Sequence, residues 1–143
     1  MLLLASSLIG CGPGSDDGDQ VCLDRANREN ALFLTAVAAV LPPGGRASVD
    51  EWNGCDSADN GATLSVLVSP ELRRDQLWRA FVEEGWTPAS KACAPGCAEA
   101  QLVRRMDKRL IGIAFEEAAR GGGLFVTVSA ADGCWDDDGY RCG

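Results

Sequence analysis

The segment from Arg109 to Ala130 reads RLIGIAFEEAARGGGLFVTVSA, and it decides the fold class. Apolar residues alternate with small or polar ones in both of its halves, at Ile111, Ile113, Phe115, Leu124, Val126 and Val128. Alternation with a period of two is typical of strands that bury one face. The connection 118–123 between the halves is short and rich in glycine, so we expect the two strands to pair in an antiparallel hairpin.

Similar patterns on the N-terminal side extend this sheet. Stretches 101–106 and 62–68 alternate in the same way, and 49–52 is compatible with a short strand. Helical spacing of apolar residues predicts one helix over 25–41 and a second that starts at Ser69-Pro70 and ends at Gly85. We therefore expect an α+β domain with two layers, in which two helices pack on one face of a mainly antiparallel sheet of four or five strands.

The overall composition fits one globular domain and narrows its chemistry. The chain has 143 residues, of which 46% are hydrophobic and 24% charged, with a net charge of -8. An acidic chain lacks the clustered Lys and Arg that bind phosphates, which argues against nucleic acid as a partner. The sequence contains no histidine, the usual general base and the commonest metal ligand. We expect neither a cofactor nor a metal, and we favour a protein without catalytic activity.

The N-terminal residues MLLLASSLIGC differ from the rest of the chain. Residues 2–9 form an uncharged run that is far shorter than the ~20 residues of a membrane-spanning helix and has the length of a signal-peptide core. Its end, Leu8-Ile9-Gly10-Cys11, resembles the lipobox of bacterial lipoproteins. The polar stretch GPGSDDGDQ that follows is typical of a flexible spacer. We expect a signal peptide over 1–10, a lipidated cysteine and flexible acidic linker over 11–20, and one disulfide-braced domain over 21–143.

The lipobox resemblance implies a modification and a location. The thiol of Cys11 would receive a diacylglyceryl group, and the chain would be cut between Gly10 and Cys11. Acyl chains such as palmitate would then anchor the protein to a membrane of the bacterial cell envelope, on its extracytoplasmic side. A thiolate is the nucleophile that such a transfer needs. No Lys or Arg precedes Cys11, whereas signal peptides start with a basic segment, so we expect translation to start upstream.

The cysteines other than Cys11 number six, and an even count in an exported chain indicates disulfides. Six cysteines allow 15 pairings, so the connectivity has to be argued locally. The first bridge we expect closes a Pro-Gly turn, the second closes a polar loop after the last strand, and the third follows by elimination. These bridges are Cys93–Cys97, Cys134–Cys142 and Cys22–Cys55. An exchange that pairs Cys55 with Cys134 or Cys142 stays open.

Three functions from different classes remain, and we favour the first. In it the domain binds an unknown protein or small molecule of the envelope without catalysis. Indole rings supply contact area and one hydrogen-bond donor, so Trp52 and Trp135, both near turns and cysteines, are the candidates for ligand contact. The second function is an envelope hydrolase with paired carboxylates, for which Glu83-Glu84 and Glu116-Glu117 are the candidates. The third is a purely structural envelope component.

Overall fold

The computed structural model describes residues 16–56, 61–92, 100–107 and 109–132. The helices and strands in chain order are α1 (Asp16–Ala38), β1 (Arg46–Trp52), β2 (Thr63–Val68), α2 (Arg74–Glu83), β3 (Thr87–Pro88), the helical turn α3 (Ala89–Ala92), β4 (Leu102–Met106), β5 (Arg109–Glu117) and β6 (Leu124–Ala130). A 3-10 turn over Ala119–Gly121 connects β5 to β6. The domain is therefore α+β, as the sequence patterns predict.

Within the described residues, six strands form one antiparallel sheet in the order β1-β2-β6-β5-β4-β3. The predicted hairpin of β5 and β6 is present, with Phe115 opposite Val126. The last strand, β6, also pairs with β2, where Leu64 lies opposite Val128. The expected count of four or five strands is wrong because β3 has two residues, one of them Pro88, which is too short for any periodicity to indicate it.

The apolar residues of β2, β5 and β6 share one side of the sheet and form its core. Val66 lies opposite Val126, which in turn lies opposite Phe115. Phe33 of α1 and Phe81 of α2 are fully buried in the same cluster. The ring centroids of Phe81 and Phe115 are 5.9 Å apart with an edge-on geometry. Removing this apolar surface from water is the main favourable contribution to folding.

Helix α1 starts earlier than the periodicity predicts. It runs from Asp16 to Ala38, so residues 16–20 of the expected linker are helical. Cys22 and Ala26 are buried at helical spacing and extend the stripe that Phe33 continues. Both are small side chains, which explains why the apolar stripe is hard to recognise there in the sequence.

A disulfide joins α1 to the loop that follows β1. Cys22 is bonded to Cys55, and their Cα atoms are 5.9 Å apart, within the usual range for a bridge. This is the pair expected by elimination, and it excludes the alternative partners of Cys55. The other two expected bridges, Cys93–Cys97 and Cys134–Cys142, lie outside the described residues.

Helix α2 starts later than predicted. Ser69 and Pro70 lie in a preceding turn, in which the N–H of Leu72 donates to the carbonyl of Ser69 at 3.0 Å. The helix begins at Arg74, after an N-cap at Arg73. The carbonyl of Ser69 therefore closes a turn, and the helix does not start at Ser69-Pro70 as the sequence pattern predicts.

The predicted end of α2 is confirmed. Gly85 has a φ of +92°, which favours glycine. The N–H of Trp86 donates to the carbonyl of Phe81, and that of Gly85 to Val82, both at 3.0 Å. This is a Schellman cap, and the rings of Trp86 and Phe81 pack edge-on at 5.7 Å. Val82, in the last turn of the helix, is 40% exposed.

Ala100 and Ala131 pack closely against Gly112 on β5. A Cβ atom built on it would be 2.6 Å from the Cβ of Ala100 and 3.2 Å from the Cβ of Ala131. Real Cβ contacts are longer than the first of these distances, so glycine is required at this position. Ala100 and Ala131 therefore cover one end of the sheet on the side opposite the core.

Loss of the Cys22–Cys55 bridge, by substitution of both cysteines with serine, should lower the free energy of unfolding by roughly 3–4 kcal/mol. The bridge spans a sequence separation of 33 and restricts the unfolded chain over that length. Urea denaturation of the oxidised protein measures the loss. The matched Cys93→Ser, Cys97→Ser variant should lose less, because any bridge there closes a much shorter loop. Equal losses would contradict this.

Gly112→Ala should destabilise the domain by about 1–3 kcal/mol, because the added methyl group forces Ala100 to move. Gly122→Ala is the control, because a Cβ there meets its nearest atoms at 3.4 Å. Thermal denaturation should show a clear loss for the first variant and little change for the second. A similar melting temperature in both variants would argue against the close approach.

Candidate functional site

The side of the sheet opposite the core carries four hydroxyl groups at its centre. Thr63 on β2 lies opposite Ser129 on β6, and Ser65 lies opposite Thr127. The Oγ of Ser65 and the Oγ1 of Thr127 are 3.5 Å apart, a weak contact at most. Each hydroxyl has one donor and two acceptor sites, so most of this hydrogen-bonding capacity is not used between the four residues. We call these four residues the hydroxyl face.

Trp52 lies at the rim of the hydroxyl face. It ends β1 opposite Thr63, so both side chains are on the same side of the sheet. Its side chain is 66% exposed. Its backbone is fixed, because its carbonyl accepts a hydrogen bond from Asn30 of α1 at 3.0 Å and the nearby Cys55 is bonded to Cys22. An exposed ring on a fixed backbone is a preorganised contact surface.

The strands around the hydroxyl face carry mainly uncharged residues on this side. Leu67 and Phe125 lie opposite each other next to it, and Ala114 of β5 lies beside it. The carboxylates on this side are at its margins, Asp50 on β1 and Glu116 near the end of β5. No Lys or Arg of β2, β5 or β6 points to this side. The surface is therefore uncharged at its centre, with the two carboxylates at its margins and Arg105 of β4 farther out on the same side.

A second polar cluster joins α1 to the β5–β6 hairpin. Two nitrogens of Arg109, Nε and Nη2, each donate at 2.9 Å to a different carboxylate oxygen of Asp132. The backbone N–H of Leu110 donates to Oδ2 of Asp132 at 3.1 Å. The third nitrogen, Nη1 of Arg109, is 3.5 Å from Oε1 of Glu29 on α1. A two-pronged pair of this kind is geometrically specific and holds Arg109 in one orientation.

The two carboxylates of this cluster are shifted in opposite directions. Burial raises the pKa of Glu29 above its ordinary value of 4.5, although the charge of Arg109 and a backbone hydrogen bond from Ala62 oppose this. Burial acts on Asp132 too, but hydrogen bonds from Arg109 and Leu110 outweigh it and hold the pKa of Asp132 below 3.8. Oε2 of Glu29 has no hydrogen-bond partner within the described part of the chain. The cluster therefore contains one stable ion pair and one carboxyl group whose charged form is disfavoured by burial.

Cavities lie beside α2, beside the connection between β5 and β6, and beside the connection between α1 and β1. One of about 500 Å³ lies beside Trp78 of α2, where Arg79 and Asp75 form an ion pair at 3.4 Å. Another, of about 370 Å³, lies between Arg73 and Glu117. A third, of about 390 Å³, is lined by residues 38 and 41–46. The first two cavities are lined by side chains of both charges, and Trp52 lines none of the three.

The residues expected at functional sites lie in different parts of the domain. Trp52 is exposed, as its position near a turn suggests. Glu83 and Glu84 are exposed at the end of α2, and Glu116 and Glu117 are exposed at the end of β5. Glu116 and Glu117 are consecutive on a strand and so point to opposite sides of the sheet. The remaining candidates, Gly10, Cys11, Trp135 and the cysteines 93, 97, 134 and 142, lie outside the described residues.

Further features bear on the class of protein. In the described ranges, no three or more His, Cys, Asp or Glu residues are grouped so as to hold a metal ion. Among the described helices, none is both long and apolar enough to cross a membrane. No protein-family model, curated protein or solved structure matches this chain.

Glu29→Gln should remove a pH dependence of stability. Because the pKa of Glu29 is raised in the folded protein, the folded state keeps its proton longer than the unfolded state does. The free energy of unfolding should therefore fall as the pH rises above about 4.5, until the carboxyl also ionises in the folded state. Glutamine mimics the protonated form, so the stability of the variant relative to the parent should increase between pH 4 and pH 7. Urea titrations across this range measure it, and a constant difference would contradict it.

Asp132→Asn is the contrasting variant, and it should destabilise the domain at neutral pH by about 1–3 kcal/mol, because a partly buried Arg109 loses its charged partner. The lowered pKa of Asp132 implies that its contribution is present above pH 3.8 and is lost as the pH falls through the folded-state value. The difference from the parent should thus shrink in acid. A loss that persists unchanged at low pH would point to packing instead of charge.

Proposed function

We propose that this chain is a lipoprotein of the bacterial cell envelope, anchored through Cys11 on the extracytoplasmic side, whose domain binds a ligand without catalysis. The hydroxyl face, with Trp52 at its rim, is the binding surface. The observation that carries this proposal is the exposed indole on a doubly fixed backbone, next to an uncharged array of hydroxyl groups.

The lipobox-like tetrad and the disulfide both support export and anchoring. The tetrad ends at Cys11 directly after an apolar run. Disulfides persist in oxidising compartments outside the cytosol, and Cys22–Cys55 ties two elements of this domain together. Helix α1 begins at Asp16, so a fully extended chain from Cys11 to that point spans at most about 18 Å. A lipid on Cys11 would therefore hold the domain close to the membrane.

We further infer that the domain has two layers, with both helices on the core side of the sheet. The shared burial of Phe33 from α1 and Phe81 from α2 in one cluster with β2, β5 and β6 supports this arrangement. Half-buried hydroxyl residues on the other side of the same strands also support it. In this arrangement the hydroxyl face lies on the side of the sheet that does not face α1 and α2.

Lipidation is tested by expressing the chain, with a complete signal peptide, in a bacterium. The parent protein should partition into the detergent phase and gain the mass of a diacylglyceryl group, whereas Cys11→Ser should do neither. Cys93→Ser is the matched control, because it removes a different thiol and should leave the lipid in place. Intact-mass measurement before and after reduction reads the lipid and the bridges together. An unmodified Cys11 in the mature parent protein would refute the anchor.

A further inference from the structure

We propose that the hydroxyl face and Trp52 bind an uncharged glycan chain, with one sugar ring stacked on the indole and the next sugar hydrogen-bonded to the serine and threonine hydroxyls. This inference rests on the proposed function of the domain as a binding module and names the chemistry of its ligand.

The arrangement of the hydroxyls favours a ligand that is itself rich in hydroxyls. Thr63 and Ser129 form one cross-strand pair, and Ser65 and Thr127 form the next. Neighbouring strands are about 4.8 Å apart, and alternate residues on a strand about 7 Å apart, so the four oxygens form a small, flat grid. Each of them both donates and accepts, as sugar hydroxyls do. A polyol can satisfy such a grid without leaving a charge or a polar group unpaired.

Trp52 supplies the contact that the grid lacks. It follows Thr63 in the same cross-strand row, so its ring lies next to the first hydroxyl pair. The face of an indole carries negative charge density, and the C–H groups on a sugar ring carry a weak positive charge, so the two attract when stacked. The carbonyl of Trp52 is hydrogen-bonded to Asn30, which means that less backbone freedom is lost on binding.

Charge disfavours anionic ligands at the hydroxyl face, since Arg105 on the same side lies two strands away from β6, on β4. Asp50 lies on the same side of β1, opposite Ser65, and Glu116 lies opposite Phe125. The whole chain carries a net charge of -8, which repels polyanions. The margins thus disfavour phosphorylated or carboxylated glycans, while the uncharged centre offers no partner to a buried cation. A neutral glycan is neither repelled by the carboxylates at the margins nor left with an unpaired charge at the centre.

The same features disfavour a second copy of the chain as the occupant. Stable dimer interfaces bury about 800 Å² on each partner, around an apolar centre. Here the centre is the grid of four hydroxyls, and the larger apolar side chains Trp52, Leu67 and Phe125 are at its margins. Two such surfaces would bury eight hydroxyl groups against each other.

The test titrates the purified full chain, in detergent, with neutral tetrasaccharides (chitotetraose, cellotetraose and maltotetraose) and with tetragalacturonate as the charged counterpart. Tryptophan fluorescence and calorimetry report binding. We expect at least one neutral glycan to bind and tetragalacturonate not to bind. Trp52→Ala should weaken binding about tenfold or more, and Trp52→Tyr, which keeps a ring, should restore most of it.

Two further variants locate the site. Ser65→Ala with Thr127→Val removes two hydroxyls while keeping residues that suit a strand, and it should weaken binding without loss of stability. Val82→Ala, an exposed apolar truncation on α2, is the control and should bind as the parent does. Circular dichroism confirms that each variant is folded.

The outcomes separate this inference from the proposed function. A folded, lipidated parent that binds no neutral glycan overturns the inference and leaves the anchored module intact. Binding that survives Trp52→Ala also overturns it, as does a dimer in analytical ultracentrifugation that Trp52→Ala dissolves. Conversely, if the chain binds a glycan through Trp52 but carries no lipid on Cys11, the inference is supported and the proposed lipid anchor is refuted.

Discussion

The apolar side of the strands β2, β5 and β6 is the constraint on which the other features depend. Alternation along each strand sends every second residue into the core cluster, and the register aligns these residues across the three strands. The residues between them are thereby forced to the other side of the sheet. The hydroxyl face exists because threonine and serine occupy those positions on β2 and β6. A slip of one residue in either strand would bury its hydroxyls and expose its valines.

Much of the fold can be predicted from local patterns in this sequence, and the rest depends on contacts between distant segments. The hairpin of β5 and β6 and the cap at Gly85 depend on residues that are close together in the sequence, and both are present. The early start of α1 depends on burial of Cys22 and Ala26, whose small side chains carry little periodic signal. The position of β6 beside β2, and the short strand β3, follow from tertiary packing that no local pattern encodes.

The candidate site, too, is predictable from local sequence patterns only in part. The exposure of Trp52 can be predicted from its place near a turn, but its row with Thr63 and Ser129 requires the strand order. The pair of Arg109 with Asp132 could be found by continuing the hairpin register to its open end, whereas the contact of Arg109 with Glu29 requires the placement of α1. Single residues are therefore recognisable in the sequence, while the surface they form is a product of topology.

The central place of the last strand has a consequence for how the protein matures. Ser65 and Thr127 meet across a sequence separation of 62, and until β6 is available, β2 and β5 have no common neighbour. Contacts this distant in sequence are slow to form, since a long loop must first be closed. A nascent chain that has not yet reached β6 therefore lacks the middle of its sheet. The domain becomes resistant to unfolding only once β6 has been made and has paired with both β2 and β5.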